Sequence, residues 1–152
     1  MKKIFLILLT ICLFLAGCDN TIYHWEFKKP VSEVKQILII NFDEYNIYQI
    51  NDINELLPLK VLDRSCINDI YAEIITLEMV KYKLPGMEPP RPRGNCFLID
   101  YENSKDYCII SSDINGYLYY KEGESYLYFR ADYLHCNNEK DFENLINKYL
   151  NS

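Results

Sequence analysis

Residues 116–130 read "GYLYYKEGESYLYFR" and hold five of the fourteen tyrosines in the chain. Two runs rich in tyrosine and leucine flank a polar turn at Glu122-Gly123, a pattern that is typical of a β-hairpin. A two-residue turn at this position pairs Tyr119 with Tyr126. Because side chains alternate across a strand, one face of the hairpin carries the tyrosines Tyr117, Tyr119, Tyr126 and Tyr128, and the other carries Leu118, Tyr120, Leu127 and Phe129.

The tyrosine face admits two interpretations, whereas the leucine face is predicted to be core. Tyrosine rings of roughly 150–250 Å² each form a patch of the size that is often functional on soluble monomers. Such a face suits the binding of sugar rings, peptides or a partner protein. Alternatively, a helix or the N-terminal segment covers the tyrosines and makes them a second core layer.

Further strands are predicted on both sides of this hairpin. The runs "CFLIDYE" and "DYCIISS" flank "NSK" and predict a second hairpin, in which Cys108 lies opposite Tyr101. "ADYLHC" (131–136) is expected to continue the last strand. Four β-rich runs upstream also read as strands, and they cover residues 34–42, 47–50, 59–62 and 77–84.

Two helices are predicted from apolar residues at helical spacing. Asp63 is the expected N-cap of a helix over about 64–76. Asn138 or Asn137 is the expected cap of a C-terminal helix whose apolar face holds Phe142, Leu145, Ile146, Tyr149 and Leu150. "NDINELL" predicts one helical turn before Pro58. This order predicts an α+β domain: a mainly antiparallel sheet of hairpins with two amphipathic helices packed on one face.

Composition limits the classes of partner. A chain of 152 residues is long enough for one domain, and 16 basic against 22 acidic residues give a net charge of −6. An acidic chain lacks the basic stripe that binds a phosphate backbone, so nucleic acid is not expected as a partner.

The N-terminus carries a targeting signal. Lys2 and Lys3 precede an apolar run over 4–15, and "LAGC" ends at Cys18. This pattern resembles the signal peptide and lipobox of bacterial lipoproteins. The resemblance implies a signal peptide over 1–17, diacylglycerol on Cys18, and membrane anchoring on the extracytoplasmic side of the cell envelope. Cleavage there would leave 14 basic against 22 acidic residues, a net charge of −8.

The segment after Cys18 is interpreted as a lipid-anchored tether over 18–33, followed by a single domain over 34–152. Tyr23, Trp25 and Phe27 in the tether either lie at the level of the lipid headgroups, or dock on the domain, or simply line the linker. The domain is similar to small lipoproteins of low-GC bacteria with no assigned function. That likeness rests on "YEN", "YYK-G" and the closing "F-NLINKYL", and it implies no activity.

Few residues suggest catalysis or metal binding. The two histidines, His24 and His135, do not complete a metal or nucleophile site, so we predict neither a metal nor another cofactor. Carboxylates are plentiful, and Asp100 with Glu102, or Asp106, are candidates for a glycosidase-type pair. We therefore expect a non-enzymatic binding or interaction module whose partner is an envelope protein or glycan. A small envelope hydrolase that uses a carboxylate pair is the alternative.

The cysteines and one loop complete the candidate features. In the predicted register Cys96 lies about 17 Å from Cys108, beyond the ~7 Å limit for a disulfide. Cys66 joins Cys96 or Cys108 if two bridges form, and otherwise Cys66, Cys96, Cys108 and Cys136 are free thiols. The loop "PGMEPPRPRGN" (85–95) carries Arg91 and Arg93 on an extended segment, where they could present guanidinium groups to an anionic partner.

Overall fold

A computed structural model describes residues 21–46, 50–81, 91–120, 127–132 and 134–152. Its main element is a six-stranded antiparallel sheet, which confirms the predicted α+β class. Its strands are β1 (Val34–Asn41), β2 (Lys60–Leu62), β4 (Asn95–Tyr101), β5 (Tyr107–Ile110), β6 (Gly116–Tyr120) and β7 (Leu127–Ala131). Their spatial order is β2-β1-β4-β5-β6-β7.

A second, two-stranded sheet pairs β3 (Met79–Lys81) with β8 (Leu134–Cys136). The expectation that "ADYLHC" continues the last strand was therefore wrong: the main sheet ends at Ala131, and β8 pairs instead with β3, where Met79 lies opposite Cys136. Of the predicted strand over 77–84, the part after Lys81 lies outside the described residues. Most of the one predicted over 47–50 lies outside them as well.

Both helices pack on the same face of the sheet, as predicted. Helix α1 (Ile67–Thr76) buries Ile67, Ile70, Tyr71 and Ile74, and helix α2 (Glu139–Leu150) buries Phe142, Leu145, Ile146 and Tyr149. They share one core with sheet residues such as Ile37, Phe97 and Ile99.

The two predicted helix caps have different outcomes. Asn138 caps α2 as predicted, because its side chain accepts a hydrogen bond from the backbone N–H of Lys140. Asp63 makes no such bond, and a 3-10 turn over Arg64–Cys66 leads into α1. The predicted helical turn before Pro58 is present as a 3-10 turn over Ile53–Glu55.

The opposite face of the sheet is covered as well. Leu38, Leu98, Ile109 and Leu118 lie in a second core, which is closed by the irregular segment after β1 through Phe42, Ile50 and Leu56. On the leucine face of the 116–130 hairpin, Leu118 is buried in this core and Phe129 packs against it, as predicted, whereas the side chains of Tyr120 and Leu127 are outside the described part. The helices, however, lie on the tyrosine side of the sheet, so neither face is left open along its whole length.

Both predicted hairpin registers were wrong by two residues. Tyr119 pairs with Tyr128 rather than Tyr126, and Cys108 lies opposite Ile99 rather than Tyr101. The turn between β4 and β5 spans 102–106, and Asn103 in it adopts a left-handed φ of 56°. A shift by two residues keeps every side chain on its predicted face, because the side-chain period of a strand is two.

The four described cysteines, Cys66, Cys96, Cys108 and Cys136, are free thiols. Cys96 and Cys108 belong to the cores on opposite faces of the sheet, which excludes a bridge between them more directly than distance along the strand. Burial raises the pKa of both thiols, and it raises that of Cys136 to about 12. These three thiols are therefore protonated and poorly nucleophilic at neutral pH.

The segment 21–33, interpreted from sequence as tether, packs on the domain and belongs to its fold. Tyr23 and Met79 exchange two backbone hydrogen bonds, each 2.8 Å from nitrogen to oxygen. Trp25 is only 2% exposed, and Phe27 packs against the helix-side core. Tyr23, Trp25 and Phe27 therefore dock on the domain, which is one of the interpretations that the sequence allowed. In the described part of the chain, no helix combines the length and apolar character needed to cross a membrane.

Candidate functional site

A cavity of about 290 Å³ lies between the N-terminal segment and one end of the main sheet. We call it the lysine–tyrosine cavity. Its walls come from four parts of the chain: the N-terminal segment, the end of β4, the residue before β5, and the β6–β7 hairpin. The lining residues are Lys28, Lys29, Tyr101, Asp106, Tyr117, Tyr119 and Arg130.

Strand alternation and pairing assemble the sheet side of this cavity. Tyr117 and Tyr119 are two apart on β6 and share a face. Arg130 on β7 lies directly opposite Tyr117. The close approach of the two strands depends on Gly116, because a Cβ there would lie 2.3 Å from the carbonyl oxygen of Arg130 and below 3 Å from the ring of Phe129.

Aromatic packing fixes the N-terminal segment above the sheet. Trp25 stacks on Tyr117 with ring centroids 6.0 Å apart, and Phe27 stacks on Tyr71 of α1 at 3.8 Å. The Tyr71 hydroxyl in turn donates a hydrogen bond to that of Tyr101 at 2.9 Å. This seam of rings holds the residues that follow Phe27 over the tyrosines of the sheet.

Two lysines extend from this seam into the cavity. Lys28 Nζ lies 3.8 Å from the ring centroid of Tyr117, and Lys29 Nζ lies 5.2 Å from that of Tyr101. Ammonium groups at these distances are attracted by the negative face of an aromatic ring. Lys28 Nζ also lies 3.8 Å from a carboxylate oxygen of Asp132. The two ammonium groups are therefore positioned by the rings beneath them.

The charge of the cavity at neutral pH comes from its lysines, arginine and carboxylate. Burial raises the pKa of Tyr101 and of Tyr117 far above that of free tyrosine, with a further contribution from the neighbouring Cys108. Both hydroxyls therefore stay neutral and able to donate hydrogen bonds. Three cationic side chains, Lys28, Lys29 and Arg130, then stand against Asp106 among the lining residues.

Two buried polar atoms beside the cavity lack a hydrogen-bond partner among the described residues. They are the Tyr117 hydroxyl and the indole Nε1 of Trp25, on the two stacked rings. An unsatisfied buried donor costs roughly 1–3 kcal/mol. The ring of Tyr117 lines the cavity, but its hydroxyl oxygen is itself buried, near the Cys108 thiol and the Lys28 backbone, so a ligand would reach it only after these neighbours shift.

The predicted tyrosine face is only partly what it was expected to be. Tyr117 is buried under Trp25 and Lys28, so it is not part of an open aromatic patch. Tyr119 is half-buried in the cavity wall. Tyr128 pairs with Tyr119 across the hairpin, and Tyr126 lies outside the described residues. Of the two tyrosines on this face whose side chains are described, Tyr117 is covered by the N-terminal segment and Tyr119 lines the cavity.

The arginines of the proline-rich loop are not brought to this cavity. Arg91 and Arg93 are exposed and precede β4, whereas Tyr101 ends it. The length of β4 separates the two places by about 20 Å at ~3.3 Å per residue. Arg93 lines a different cavity, beside Phe142 of α2. Most of the proline-rich loop, up to residue 90, lies outside the described residues.

The candidate carboxylates do not meet. Asp106 is the only carboxylate that lines the lysine–tyrosine cavity, in the part of the chain that the structure describes. Asp100 points to the other face of the sheet, where Lys35 Nζ lies 3.0 Å from its carboxylate and Gln36 donates a hydrogen bond to it at 3.0 Å. Glu102 forms an ion pair with Arg64 at 3.6 Å.

The histidines are also apart from the cavity. Nδ1 of His24 lies 3.2 Å from the carbonyl oxygen of Leu77, and Nδ1 of His135 lies 3.1 Å from that of Cys136. Within the described ranges, no three His, Cys, Asp or Glu side chains are grouped as a metal ion would require.

The sequence analysis did not identify Lys28, Lys29 or Arg130 as residues of a site. Only the position of Arg130 could have been predicted from the strand pattern. Arg130 follows Tyr126 and Tyr128 at a spacing of two, so alternation places it on the tyrosine face. Lys28 and Lys29 had no such signal, because they lie in an irregular segment and their ring partners Tyr117 and Tyr101 are 89 and 72 residues further along the chain.

Comparison of the chain with protein-family models, with curated proteins and with solved structures gives no match in any of the three.

Proposed function

We propose that the protein is a lipid-anchored, non-enzymatic binding module of the cell envelope, and that its lysine–tyrosine cavity binds a small anionic ligand. The observation that carries the proposal is the convergence of Lys28, Lys29 and Arg130 on one cavity. The chain as a whole has a net charge of −6, so these cations are concentrated against the overall sign of the protein.

Electrostatics favour an anion at this position. A concave site lined by charge of one sign focuses the field and raises the local concentration of ligands of opposite charge. A guanidinium group can bind carboxylate or phosphate through two parallel hydrogen bonds, and neutral tyrosine hydroxyls add further donors. Three cations stand against one lining carboxylate and against Asp132, which contacts Lys28 at 3.8 Å. The remaining positive charge favours a negatively charged group.

The volume of the cavity limits the size of the ligand. Ligand sites usually measure about 300–1,000 Å³, and the lysine–tyrosine cavity, at about 290 Å³, lies at the lower end. A small molecule, or one unit of a larger molecule such as an envelope glycan, fits this volume better than an extended peptide.

Binding is favoured over hydrolysis by the positions of the carboxylates. A glycosidase-type mechanism needs two carboxyl groups about 5–10 Å apart across the bond that is cleaved. Among the described residues, Asp106 lines the cavity without a second carboxylate. Asp100 is held by Lys35 on the opposite face of the sheet.

The binding proposal is tested with inorganic phosphate on the full chain, purified from membranes in a neutral detergent. Trp25 is the only tryptophan and stacks on Tyr117 beside the cavity, so its fluorescence reports on occupancy. Arg130→Gln should weaken binding about tenfold, because a charge-assisted hydrogen bond contributes roughly 1.5–3 kcal/mol. Lys140→Gln removes an exposed cation on α2 as a matched control and should bind like the wild type.

Two results would contradict an anion site in this cavity. One is the absence of any saturable fluorescence change with phosphate. The other is an equal loss of affinity in Arg130→Gln and Lys140→Gln, which would indicate attraction by overall charge alone.

The membrane anchor is proposed from "LAGC" at residues 15–18 and is tested by labelling cells with radioactive palmitate. The wild-type protein should carry the label, and Cys18→Ala should lose it and leave the membrane fraction or remain unprocessed. Cys66→Ala should keep the label, because Cys66 belongs to the folded domain. Labelling that persists in Cys18→Ala would refute the anchor. Anchoring through two acyl chains is stable, whereas one chain holds a protein only marginally.

A further inference from the structure

We propose that the ligand of the lysine–tyrosine cavity is a phosphate ester that carries free hydroxyl groups, with the size of a glycerol phosphate. This inference rests on the proposed function, because it specifies the ligand of the same cavity. The sheet places the charged side chains at two different ends of the cavity, with Arg130 at one end and Asp106 at the other.

The register of the strands defines these two ends. Asp100 pairs with Tyr107, and Tyr107 pairs with Leu118. Continuing both pairings by one residue places Tyr101, Asp106 and Tyr119 next to one another in a row across the sheet. The next row on the same face, two residues along the strands, holds Tyr117 opposite Arg130. With ~4.8 Å between strands and ~3.3 Å per residue, the Cα atoms of Asp106 and Arg130 lie about 12 Å apart.

The end at Arg130 suits a phosphate group. Lys28 lies over Tyr117, Tyr117 pairs with Arg130 across the strands, and both cationic side chains line this end of the cavity. Lys28 is in contact with Asp132 at 3.8 Å, whereas no ion pair to Arg130 is present among the described residues. Guanidinium groups match the geometry of phosphate oxygens, and an ammonium adds a point charge.

The end at Asp106 suits a hydroxyl group. Lys29 lies over Tyr101, which neighbours Asp106 in the same row, and both charged residues line the cavity without being within ion-pair distance of each other. A carboxylate only accepts hydrogen bonds and an ammonium only donates them, whereas a hydroxyl does both. A second phosphate is repelled by Asp106, and a ligand ammonium is repelled by Lys29. A hydroxyl is the common group that satisfies both side chains.

The volume agrees with a ligand of this kind. About 290 Å³ accommodates a phosphate with a short polyol or a single sugar, and it leaves no room for a long chain within the cavity. The same phosphoglycerol group occurs in free glycerol phosphate and in the headgroup of phosphatidylglycerol. A lipid-anchored domain can meet it from either source.

The test compares glycerol 3-phosphate with methyl phosphate, a phosphate ester without hydroxyl groups. Binding is measured by the fluorescence of Trp25 on the full chain in a neutral detergent. The wild type should bind glycerol 3-phosphate about tenfold more tightly, since a hydrogen bond to a charged group contributes roughly one decade in affinity or more.

Three variants separate the two ends of the cavity. Asp106→Ala should abolish the preference for glycerol 3-phosphate and, by removing a like charge, strengthen the binding of methyl phosphate several-fold. Arg130→Gln should weaken both ligands in parallel and preserve their ratio. Asp63→Ala removes an exposed carboxylate that makes no side-chain cap bond, and as a matched control it should change neither ligand.

Equal affinities of the wild type for the two esters, or a preference that survives Asp106→Ala, would overturn the hydroxyl end while leaving an anion site. The absence of binding by either ester would instead overturn the proposed function. Dihexanoyl phosphatidylglycerol, with dihexanoyl phosphatidylcholine as its control, then identifies the source: tighter binding than free glycerol 3-phosphate supports the lipid headgroup, and weaker binding supports the soluble ester.

Discussion

The N-terminal segment and helix α2 pack on the same face of the sheet, and each inserts one large ring into the core. Trp25 and Phe142 are both 2% exposed. Phe142 belongs to a regular helix, and its ring packs edge-on against Phe97 with the ring centroids 5.9 Å apart. Trp25 belongs to an irregular segment, and its ring stacks on Tyr117 with the centroids 6.0 Å apart. Burial of a large side chain in this protein therefore does not require regular secondary structure around it.

The two regions differ in how their backbones are held. Helix α2 satisfies its amide groups internally and is capped by Asn138. The N-terminal segment is fixed by the paired bonds of Tyr23 with Met79 and by the 3-10 turn Val31–Glu33 before β1. Between these points its ring contacts hold it in place. Aromatic packing therefore positions two of the cations that line the cavity, Lys28 and Lys29.

We expect the largest loss of stability from removing the two buried rings, and comparing them tests whether the irregular segment contributes as much to the free energy of unfolding as the helix does. Trp25→Ala and Phe142→Ala should each lower the free energy of unfolding by roughly 3–5 kcal/mol, because each removes a fully buried aromatic side chain. Urea unfolding followed by circular dichroism measures both, and Leu57→Ala is the control because its side chain is 76% exposed. A Trp25→Ala protein as stable as the Leu57→Ala control would show that the segment does not dock.

Helix α2 could be predicted from the sequence, whereas the sequence left the packing of the N-terminal segment open. Helix α2 was predicted with its cap and apolar face, because Phe142, Leu145 and Ile146 recur at helical spacing. For Trp25 the sequence left docking on the domain as one of several alternatives, because its segment has no period and its stacking partner Tyr117 is distant in sequence.

Strand faces were predictable where registers were not. The assignment of Tyr117 and Tyr119 to one face survived an error of two residues, because a strand repeats every two residues. The register itself depends on turn length, which the residues of the turn do not fix uniquely. What covers a face depends on the whole fold, so the sequence could not show that Lys28 and Trp25 lie over Tyr117.

Polar contacts also tie each region to the domain. Lys28 of the N-terminal segment approaches Asp132 at 3.8 Å. In α2, Lys148 and the Tyr149 hydroxyl both donate hydrogen bonds to the carboxylate of Glu73 on α1. Burial by itself would raise the pKa of Glu73, but these two bonds outweigh it, and the pKa lies below the ordinary value of 4.5.

The smallest expected effect concerns Glu73 and depends on pH. A carboxylate whose pKa is lowered by folding contributes stability that is present above its unfolded pKa and is lost as the pH falls through its folded pKa. Glu73→Gln should therefore lower the free energy of unfolding at pH 7 by less than about 1 kcal/mol, since the pair is partly exposed and screened by solvent. The difference from the wild type should shrink below about pH 4. Urea unfolding from pH 7 down to pH 3 measures it, and Trp25→Ala serves as the contrast, because the loss of buried ring area should persist across that range. A Glu73→Gln deficit that stayed constant to pH 3 would show that the side chain acts through packing and not through its charge.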